Sequence, residues 1–429
     1  MYYMGVASTM SPSSTSAALL WLVCHCAGAA DWPFAYNESK FPAAWFGANA
    51  TNWESAEQIE AIGRYSMAIL GWQHLTMETN FTAVVYEQIT QAGIIKSNHP
   101  DLPVFVYCGF GWAMGLNAGV QPILNDPMYK DFFLLAQDGG YIYTQTDCQQ
   151  GHTTPSATDG RCVGHFWNFH NASARDYFVD KLVAPLAQAG PIDGVFFDAT
   201  NYGYDIPEVH PWNRMTVNVP NCTFPNRSDF SGCNVLVDGS LEVAARTTKL
   251  LNAHGKVPMF ANPGYFGRPM SPTQKIWLDE ARLVQVLEGM TWMTYYESAR
   301  AETSLSSGAL PNMLQESSTG VAAGVHTYYH NSTEDPLPHM AAFMLVKQPH
   351  WFYFGSTGWW DDSFAWTDLY DRASSCGAAL GPAKRSSDAG GTVSFSREFE
   401  QCNVLLACSN NGTTCTGDIA FESSSSSIF

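Results

Sequence analysis

The segment Ile192–Asn201, which reads IDGVFFDATN, decides the fold prediction. A glycine and three large apolar residues lead directly to the carboxylate of Asp198. Runs that are apolar at nearly every position are typical of parallel strands, because such strands are buried on both faces. The segment therefore predicts a buried strand that ends at a charged residue.

Similar apolar runs, bounded mostly by Gly, Pro, Asn or Asp, recur along the chain. Together with Gly194–Phe197 they predict eight strands, the others being Ala44–Phe46, Tyr65–Gly71, Val104–Cys108, Val257–Ala261, Leu283–Leu287, Gly320–Thr327 and Trp351–Phe354. Helical patterns alternate with them at Ser55–Arg64, Phe81–Lys96, Asp126–Gln137, Ala172–Ala189, Leu241–His254, Pro272–Glu280, Met293–Ser304 and His339–Lys347. This alternation predicts an α/β fold, a (β/α)8 TIM barrel, with a doubly wound open sheet as the alternative.

The chain ends in a different pattern. A closing helix is predicted at Asp368–Leu380, followed by short strands at Thr392–Phe395, Asn403–Cys408 and Gly417–Phe421. We therefore expect a signal peptide over residues 1–30, the barrel over 31–385, and a small C-terminal β appendage with a Ser-rich tail over 386–429. Two long loops, Asp138–Phe166 and Ala199–Asp238, have the length typical of functional rims.

Composition limits the partners. The chain has 429 residues, 46% hydrophobic and 14% charged, so it is not a disordered segment. Its net charge of −18 repels phosphate backbones, which argues against nucleic acid. Its many Trp, Tyr and Phe residues suit a carbohydrate substrate, although aromatic residues are first of all core residues.

The amino-terminal region and the sequons predict a secreted glycoprotein. Ala17–Ala30 is an apolar stretch too short to span a bilayer but of signal-peptide length, although no Lys or Arg precedes it. No later stretch is apolar enough to cross a membrane, so no membrane contact is expected after signal removal. Asn-X-Ser/Thr sequons occur at Asn37, Asn49, Asn80, Asn171, Asn221, Asn226, Asn331 and Asn411.

Nine cysteines remain after the leader. Cys148/Cys162 and Cys222/Cys233 each enclose a polar loop, which predicts two local disulfide bonds. The tail cysteines, which are Cys376, Cys402, Cys408 and Cys415, are sufficient for two more. Cys108 lies inside an apolar run and is expected to be a buried free thiol. No CxxC pair or HExxH motif occurs, so neither a metal nor another cofactor is predicted.

Two carboxylates are the candidate catalytic residues. Asp198 and Glu288 each follow an apolar run, where an unpaired charge is costly, on the predicted fourth and sixth strands. Active sites of barrels gather at the carboxyl ends of the strands, and two carboxylates there satisfy the needs of glycosidic bond cleavage. The alternative is that either residue caps the following helix or pairs with an arginine.

Polar and aromatic residues at the same predicted strand ends are the candidate substrate contacts. They are Trp72, Tyr107, Trp112, Asn201, Asn262, Tyr265, His326, Tyr328, Trp359 and Asp361. Each aromatic residue has packing as its alternative role, and His326 is as well explained as a structural histidine.

These residues carry a resemblance. The stretch Ile192–Asp198 resembles the fourth-strand "DGVFLD" signature of secreted (β/α)8 glycoside hydrolases, including the endo-α-1,4-polygalactosaminidase-like group and the glycoside-hydrolase-like family 15. Tyr65–Trp72 is similar to their second strand. Arg397–Glu400 with Asn403–Leu406 resembles their terminal hairpin, except that Gln401 and Cys402 stand where Asn and Gly are expected. The resemblance implies that Asp198 is the fourth-strand catalytic carboxylate.

The resulting hypothesis is a secreted glycoside hydrolase that cleaves O-glycosidic bonds of a poly- or oligosaccharide. Asp198 would be the nucleophile or base and Glu288 the general acid. A non-catalytic carbohydrate-binding barrel is the alternative, and an extracellular structural domain is a more distant one. The alternatives differ in whether two carboxylates converge on one pocket.

Overall fold

The structure, a computed structural model, describes residues 32–47, 49, 51–72, 74, 84–114, 117–124, 126–135, 139–141, 143–145, 163–198, 215–216, 219, 223–224, 234–261, 280–298, 320–329, 335–358, 363–387, 392–409 and 415–421. Several predictions lie outside these residues. They are the leader, the Cys148–Cys162 and Cys222–Cys233 pairs, and nearly all of the helix expected at Pro272–Glu280.

The strands within the described ranges are β1 (Ala44–Gly47), β2 (Met67–Leu70), β3 (Val104–Gly109), β4 (Trp112–Met114), β5 (Tyr143–Gln145), β6 (Val163–Phe166), β7 (Gly194–Asp198), β8 (Met215–Thr216), β9 (Thr223–Phe224), β10 (Val257–Ala261), β11 (Met293–Ser298), β12 (Ala322–Tyr328), β13 (Trp351–Ser356), β14 (Lys384–Ser387), β15 (Val393–Glu398), β16 (Cys402–Cys408) and β17 (Cys415–Phe421). The helices are α1 (Ala56–Ile62), α2 (Val84–Asn98), α3 (Ala172–Tyr177), α4 (Ala184–Gln188), α5 (Asn234–Ala253), α6 (Glu280–Val286), α7 (Leu337–Val346) and α8 (Asp368–Ser374).

Eight parallel strands form the barrel, in the order β1-β2-β3-β7-β10-β11-β12-β13. A parallel bridge between Ala43 and Tyr353 joins the last strand to the first. There the backbone N–H of Tyr353 donates to the carbonyl of Pro42 at 2.9 Å. The predicted (β/α)8 barrel is therefore confirmed, and the open-sheet alternative is wrong.

The sixth strand differs from the prediction. The run Leu283–Leu287 lies in and directly after α6, and β11 is formed by Met293–Ser298, which was predicted as the start of a helix. The amide of Leu287 still donates to the carbonyl of Leu283 at 2.9 Å, so the helical hydrogen bonding continues to that point. Gly289 then adopts a φ of 76°, which favours glycine and ends the helix.

The helices mostly follow their predicted patterns. Ser55 and Gln58 form a capping box at the start of α1. The predicted helix Ala172–Ala189 consists of α3 and α4 joined by a π-helical turn at Phe178–Val183. The predicted helix Asp126–Gln137 is wrong, because its described residues, 126–135, form a 3₁₀ turn at Pro127–Phe132 and no α-helix.

A small antiparallel sheet, ordered β4-β6-β5, extends from the carboxyl end of β3. It includes both ends of the region predicted as the long loop Asp138–Phe166. His165 of β6 stacks on Tyr141 with a centroid distance of 4.3 Å, and its ring also contacts that of Phe133. The loop region is therefore partly a packed sheet beside the barrel mouth.

The predicted appendage is present as the antiparallel sheet β14-β15-β16-β17. Disulfide bonds join Cys376 to Cys402 and Cys408 to Cys415, so the four tail cysteines form two bonds as expected. Cys108 is buried and free, also as expected. No helix in the described ranges is both long and apolar enough to span a bilayer.

Candidate active site

Asp198 ends β7 at the carboxyl edge of the barrel, where its side chain is half-buried. The hydroxyl of Tyr107, on the neighbouring strand β3, donates a 2.8 Å hydrogen bond to Oδ2 of Asp198. The parallel register pairs Tyr107 with Phe196 and Gly109 with Asp198. Tyr107 is only 6% exposed, so its hydroxyl reaches the carboxylate from the protein interior.

Five buried aromatic side chains close the barrel interior beneath this edge, and we call them the aromatic floor. They are Phe46, Tyr107, Phe196, Tyr295 and Phe364. Their successive ring contacts run from Tyr107 to Phe196 (5.9 Å), Phe196 to Tyr295 (4.9 Å), Phe196 to Phe46 (5.4 Å) and Phe46 to Phe364 (5.9 Å). Side chains alternate along a strand, so Asp198 shares the face of Phe196 and lies one layer above this floor.

His326 is completely buried beside the floor, with its ring 5.4 Å from that of Phe364. Its Nε2 lies 2.6 Å from Oγ of Ser356, whose hydroxyl donates to the carbonyl of Gly358 at 2.8 Å. Since the hydroxyl proton is used on Gly358, Nε2 is the donor to Ser356. Burial lowers the pKa of His326 to about 3, so the ring is neutral. His326 was predicted as a substrate contact, but it lies beneath the surface and supports the chain after β13.

Glu288 does not end a strand, and that prediction is wrong. It is exposed in the turn between α6 and β11, where its backbone N–H donates to the carbonyl of Gln285 at 3.4 Å. All barrel strands are parallel, so a residue that precedes β11 lies at the opposite end of the barrel from Asp198. The physical cause is the misplaced sixth strand, whose predicted end at Leu287 lies eleven residues before its actual end at Ser298.

The acidic residue near the actual end of the sixth strand is Glu297, the next-to-last residue of β11, which is not among the residues predicted from the sequence. Glu297 pairs in register with His326 of β12. Alternation along β11 puts position 297 on the same strand face as Tyr295, whose ring contacts Phe196. The signal was present in the sequence, because Met293–Tyr296 is a β-prone run followed by a carboxylate, like the run before Asp198.

The other predicted contacts have separate outcomes. Trp72 is the second residue after β2 and Trp112 begins β4; both are half-buried against the core. Tyr328 is the last residue of β12, in register with Ser356. Asn201, Asn262, Tyr265, Trp359 and Asp361 lie outside the described residues. Within the described ranges, no three His, Cys, Asp or Glu side chains are grouped to hold a metal ion.

Comparison with known proteins adds likeness of fold alone. No protein-family profile matches the chain, and no curated protein matches it either. Among solved structures, it is similar to Ega3 of Aspergillus fumigatus, in a complex with galactosamine (11% identity, 71% of this chain and 83% of that one, TM-score 0.36). It is also similar to sucrose 6F-phosphate phosphorylase of Thermoanaerobacter thermosaccharolyticum (9%, 90% and 96%, 0.45). A third is the β-amylase catalytic domain of Paenibacillus polymyxa (10%, 74% and 92%, 0.40). At these scores the likeness carries no conclusion about substrate or mechanism.

Proposed function

We propose that the protein is a secreted glycoside hydrolase in which Asp198 is one of two catalytic carboxylates. The observation that carries the proposal is the hydrogen bond from Tyr107 to Asp198 at the carboxyl edge of the barrel. A half-buried carboxylate fixed by a phenol, above a floor of buried rings, is oriented toward the barrel mouth at little entropic cost. Asp198 acts as the nucleophile or as the base that activates water.

Glu297 is proposed as the second carboxylate, in the acid role that the sequence predicts for Glu288. Two strand spacings separate β7 from β11, or about 10 Å between backbones. Alternation along a strand puts position 198 on the face of Phe196 and position 297 on the face of Tyr295, and both of these rings belong to the aromatic floor. Hydrolysis of a glycosidic bond needs an acid and a base or nucleophile, and these two carboxylates are the proposed pair.

Several features support a carbohydrate substrate and an extracellular location. Half-buried Trp72 and Trp112 border the same edge of the barrel, where an indole face suits the apolar face of a sugar. The two disulfide bonds of the appendage fit an oxidising compartment. The net charge of −18 does not favour nucleic acid.

The test is release of reducing sugar from a panel of soluble polysaccharides. Asp198→Asn and Glu297→Gln should each lower kcat by about 10³-fold or more, because each leaves the step without a required carboxylate. Glu288→Gln is the matched control and should retain wild-type activity, since Glu288 lies at the other end of the barrel. Activity that survives Asp198→Asn would contradict the proposal.

The non-catalytic carbohydrate-binding barrel is the second candidate, and the aromatic border of the mouth favours it equally. It predicts that the wild-type protein binds a polysaccharide without releasing reducing sugar. It also predicts that Asp198→Asn leaves that binding unchanged, so binding and release measured together separate the two functions.

A further inference from the structure

Trp53, at 41% exposure, is the most exposed tryptophan among the described residues. It lies between β1 and α1, on the same edge of the barrel as Asp198. An exposed indole leaves apolar surface in water, and tryptophan is enriched among the residues that contribute most to binding. None of the predicted contacts includes it.

The backbone before Trp53 is fixed by a side chain. Oδ1 of Asn49 accepts hydrogen bonds from the amides of Thr51 (3.1 Å) and Asn52 (2.9 Å). Such Asx-type bonds hold a turn in one conformation. The amides of the two residues that directly precede Trp53 are therefore both held by one side chain.

The backbone after Trp53 is fixed as well. The amide of Glu54 donates to Oε1 of Gln91 on α2 at 3.0 Å, and Glu54 is only 5% exposed. The amide of Ser55 donates to Oε1 of Gln58 at 2.8 Å in the capping box of α1. Trp53 is thus an exposed residue between two anchored neighbours, which limits the ordering cost of binding.

His74 supports the indole from inside the protein. The rings of Trp53 and His74 lie 5.7 Å apart at 72°, an edge-to-face contact, and His74 has no exposed surface. Within the described part of the chain, neither ring nitrogen of His74 has a hydrogen-bond partner. Burying two such nitrogens is costly, and costs of this kind are concentrated at functional sites.

We propose that Trp53 is a stacking platform for a pyranose ring, an outlying subsite of a saccharide chain bound across the barrel mouth. This inference rests on the proposed function. Three strand spacings, β1 to β2 to β3 to β7, separate the platform from Asp198, or about 14 Å along the sheet. Trp53 therefore binds a sugar unit away from the scissile bond, and His74 is its positioning residue.

The experiment is affinity electrophoresis in gels that contain polygalactosamine, soluble starch, glycol chitosan or arabinoxylan. The wild type should be retarded by at least one polymer, and Trp53→Ala should raise the dissociation constant for that polymer about 10-fold. Trp53→Phe should give an intermediate value. Phe421→Ala, which removes a 38% exposed aromatic residue from the appendage, is the control and should match the wild type.

The role of His74 has its own comparison. His74→Ala should weaken retardation, and His74→Phe should restore it, because phenylalanine keeps a ring edge against the indole. Thermal midpoints of both variants show whether a loss of binding is only a loss of stability. Unchanged binding by Trp53→Ala, or a wild type that none of the four polymers retards, overturns the proposal.

Failure of the proposed function gives a different result. If Asp198→Asn keeps its activity, or the wild type releases no sugar, retardation that depends on Trp53 still supports the platform. If hydrolysis depends on Asp198 but Trp53→Ala binds normally, the platform alone is wrong.

Discussion

Tyr107 and Asp198 are joined by a 2.8 Å hydrogen bond between adjacent strands, β3 and β7, in which the phenol is the donor. The ring of Tyr107 packs 5.9 Å from that of Phe196, two residues before Asp198. One residue thus belongs both to the aromatic floor and to the candidate catalytic group. The packing of the core therefore determines where the carboxylate lies.

Removal of that hydroxyl is the first test of this relationship. We expect Tyr107→Phe to lower kcat about 10- to 100-fold, because the ring still fills the floor while the carboxylate loses the hydrogen bond from the phenol. The free energy of unfolding should fall by only about 1 kcal/mol. Reducing-sugar release and urea denaturation measure the two effects.

Tyr353→Phe is the matched control, since Tyr353 is a buried tyrosine whose hydroxyl bonds to that of Tyr329 at 2.8 Å, away from Asp198. It should lose similar stability and keep its activity. Equal activity of Tyr107→Phe and the wild type would show that the hydrogen bond has no catalytic role.

The second prediction concerns stability in acid. Burial lowers the pKa of His74 and His165 to about 4 and that of His326 to about 3, below the unfolded value of 6.5. Between these values the unfolded chain binds protons that the folded chain does not bind. The contribution of these histidines to the free energy of unfolding is therefore fully present above pH 6.5. It falls as the pH decreases toward 4, by up to about 1.4 kcal/mol per pH unit for each histidine.

Urea denaturation at pH 7.5, 6.0, 5.0 and 4.5 measures this slope. His326→Gln should make it shallower, because one of the three neutral rings is then absent. A midpoint that stays constant from pH 6.5 to 5.0 would mean that these histidines are protonated in the folded protein.

The barrel strands were predictable from the sequence where an apolar run is compatible with a strand and not with a helix. The run Val257–Ala261 is apolar throughout and too short for a helix, and it forms β10 with the predicted bounds. Leu283–Leu287 is equally apolar but belongs to the end of a helix, and short apolar runs do not separate these two cases. The strand Met293–Ser298 was missed because its six residues also suit one side of a helix.

In the candidate site, one of the two predicted catalytic residues lies at a strand end and the other does not. Asp198 was found because it follows a strand that its own residues define. Glu288 follows a run that is helical and not a strand, so its wrong placement results from the wrong prediction of the sixth strand. The bond from Tyr107 depends on the register of two strands, which arises from packing of the whole barrel.

The third prediction tests the packing beneath Asp198. A Cβ at Gly194, the first residue of β7, would overlap the ring of Phe105 and the carbonyl oxygen of Val257. Gly194→Ala should therefore destabilise the fold by about 1–3 kcal/mol or more, measured by urea denaturation. Gly190→Ala is the control, because a Cβ there meets no atom within 4 Å. Equal stability of the two variants would show that the strands separate without cost.

The last prediction concerns the joint between the barrel and the appendage. Arg397 of β15 is 9% exposed, and its Nη1 donates to the carbonyls of Met344 (3.1 Å), Leu345 (3.2 Å) and Lys347 (2.7 Å) at the end of α7. Its Nε donates to the carbonyl of Gly381 at 2.8 Å. The carbonyls at the end of a helix have no amide of a following turn to accept from. The guanidinium therefore satisfies those at the end of α7 and complements the negative end of the helix dipole.

Arg397→Met keeps much of the side-chain volume and removes every donor, so it should lower the free energy of unfolding by about 2–4 kcal/mol. Arg397→Lys should recover only part of this loss, because one ammonium cannot reproduce the planar fork that reaches both α7 and Gly381. Arg385→Met, on the exposed strand β14, is the control and should change stability by less than about 1 kcal/mol. Limited proteolysis should then release the appendage of Arg397→Met faster than that of the control. Equal rates for the two variants would show that the disulfide bond between Cys376 and Cys402 is sufficient to hold the joint without the arginine.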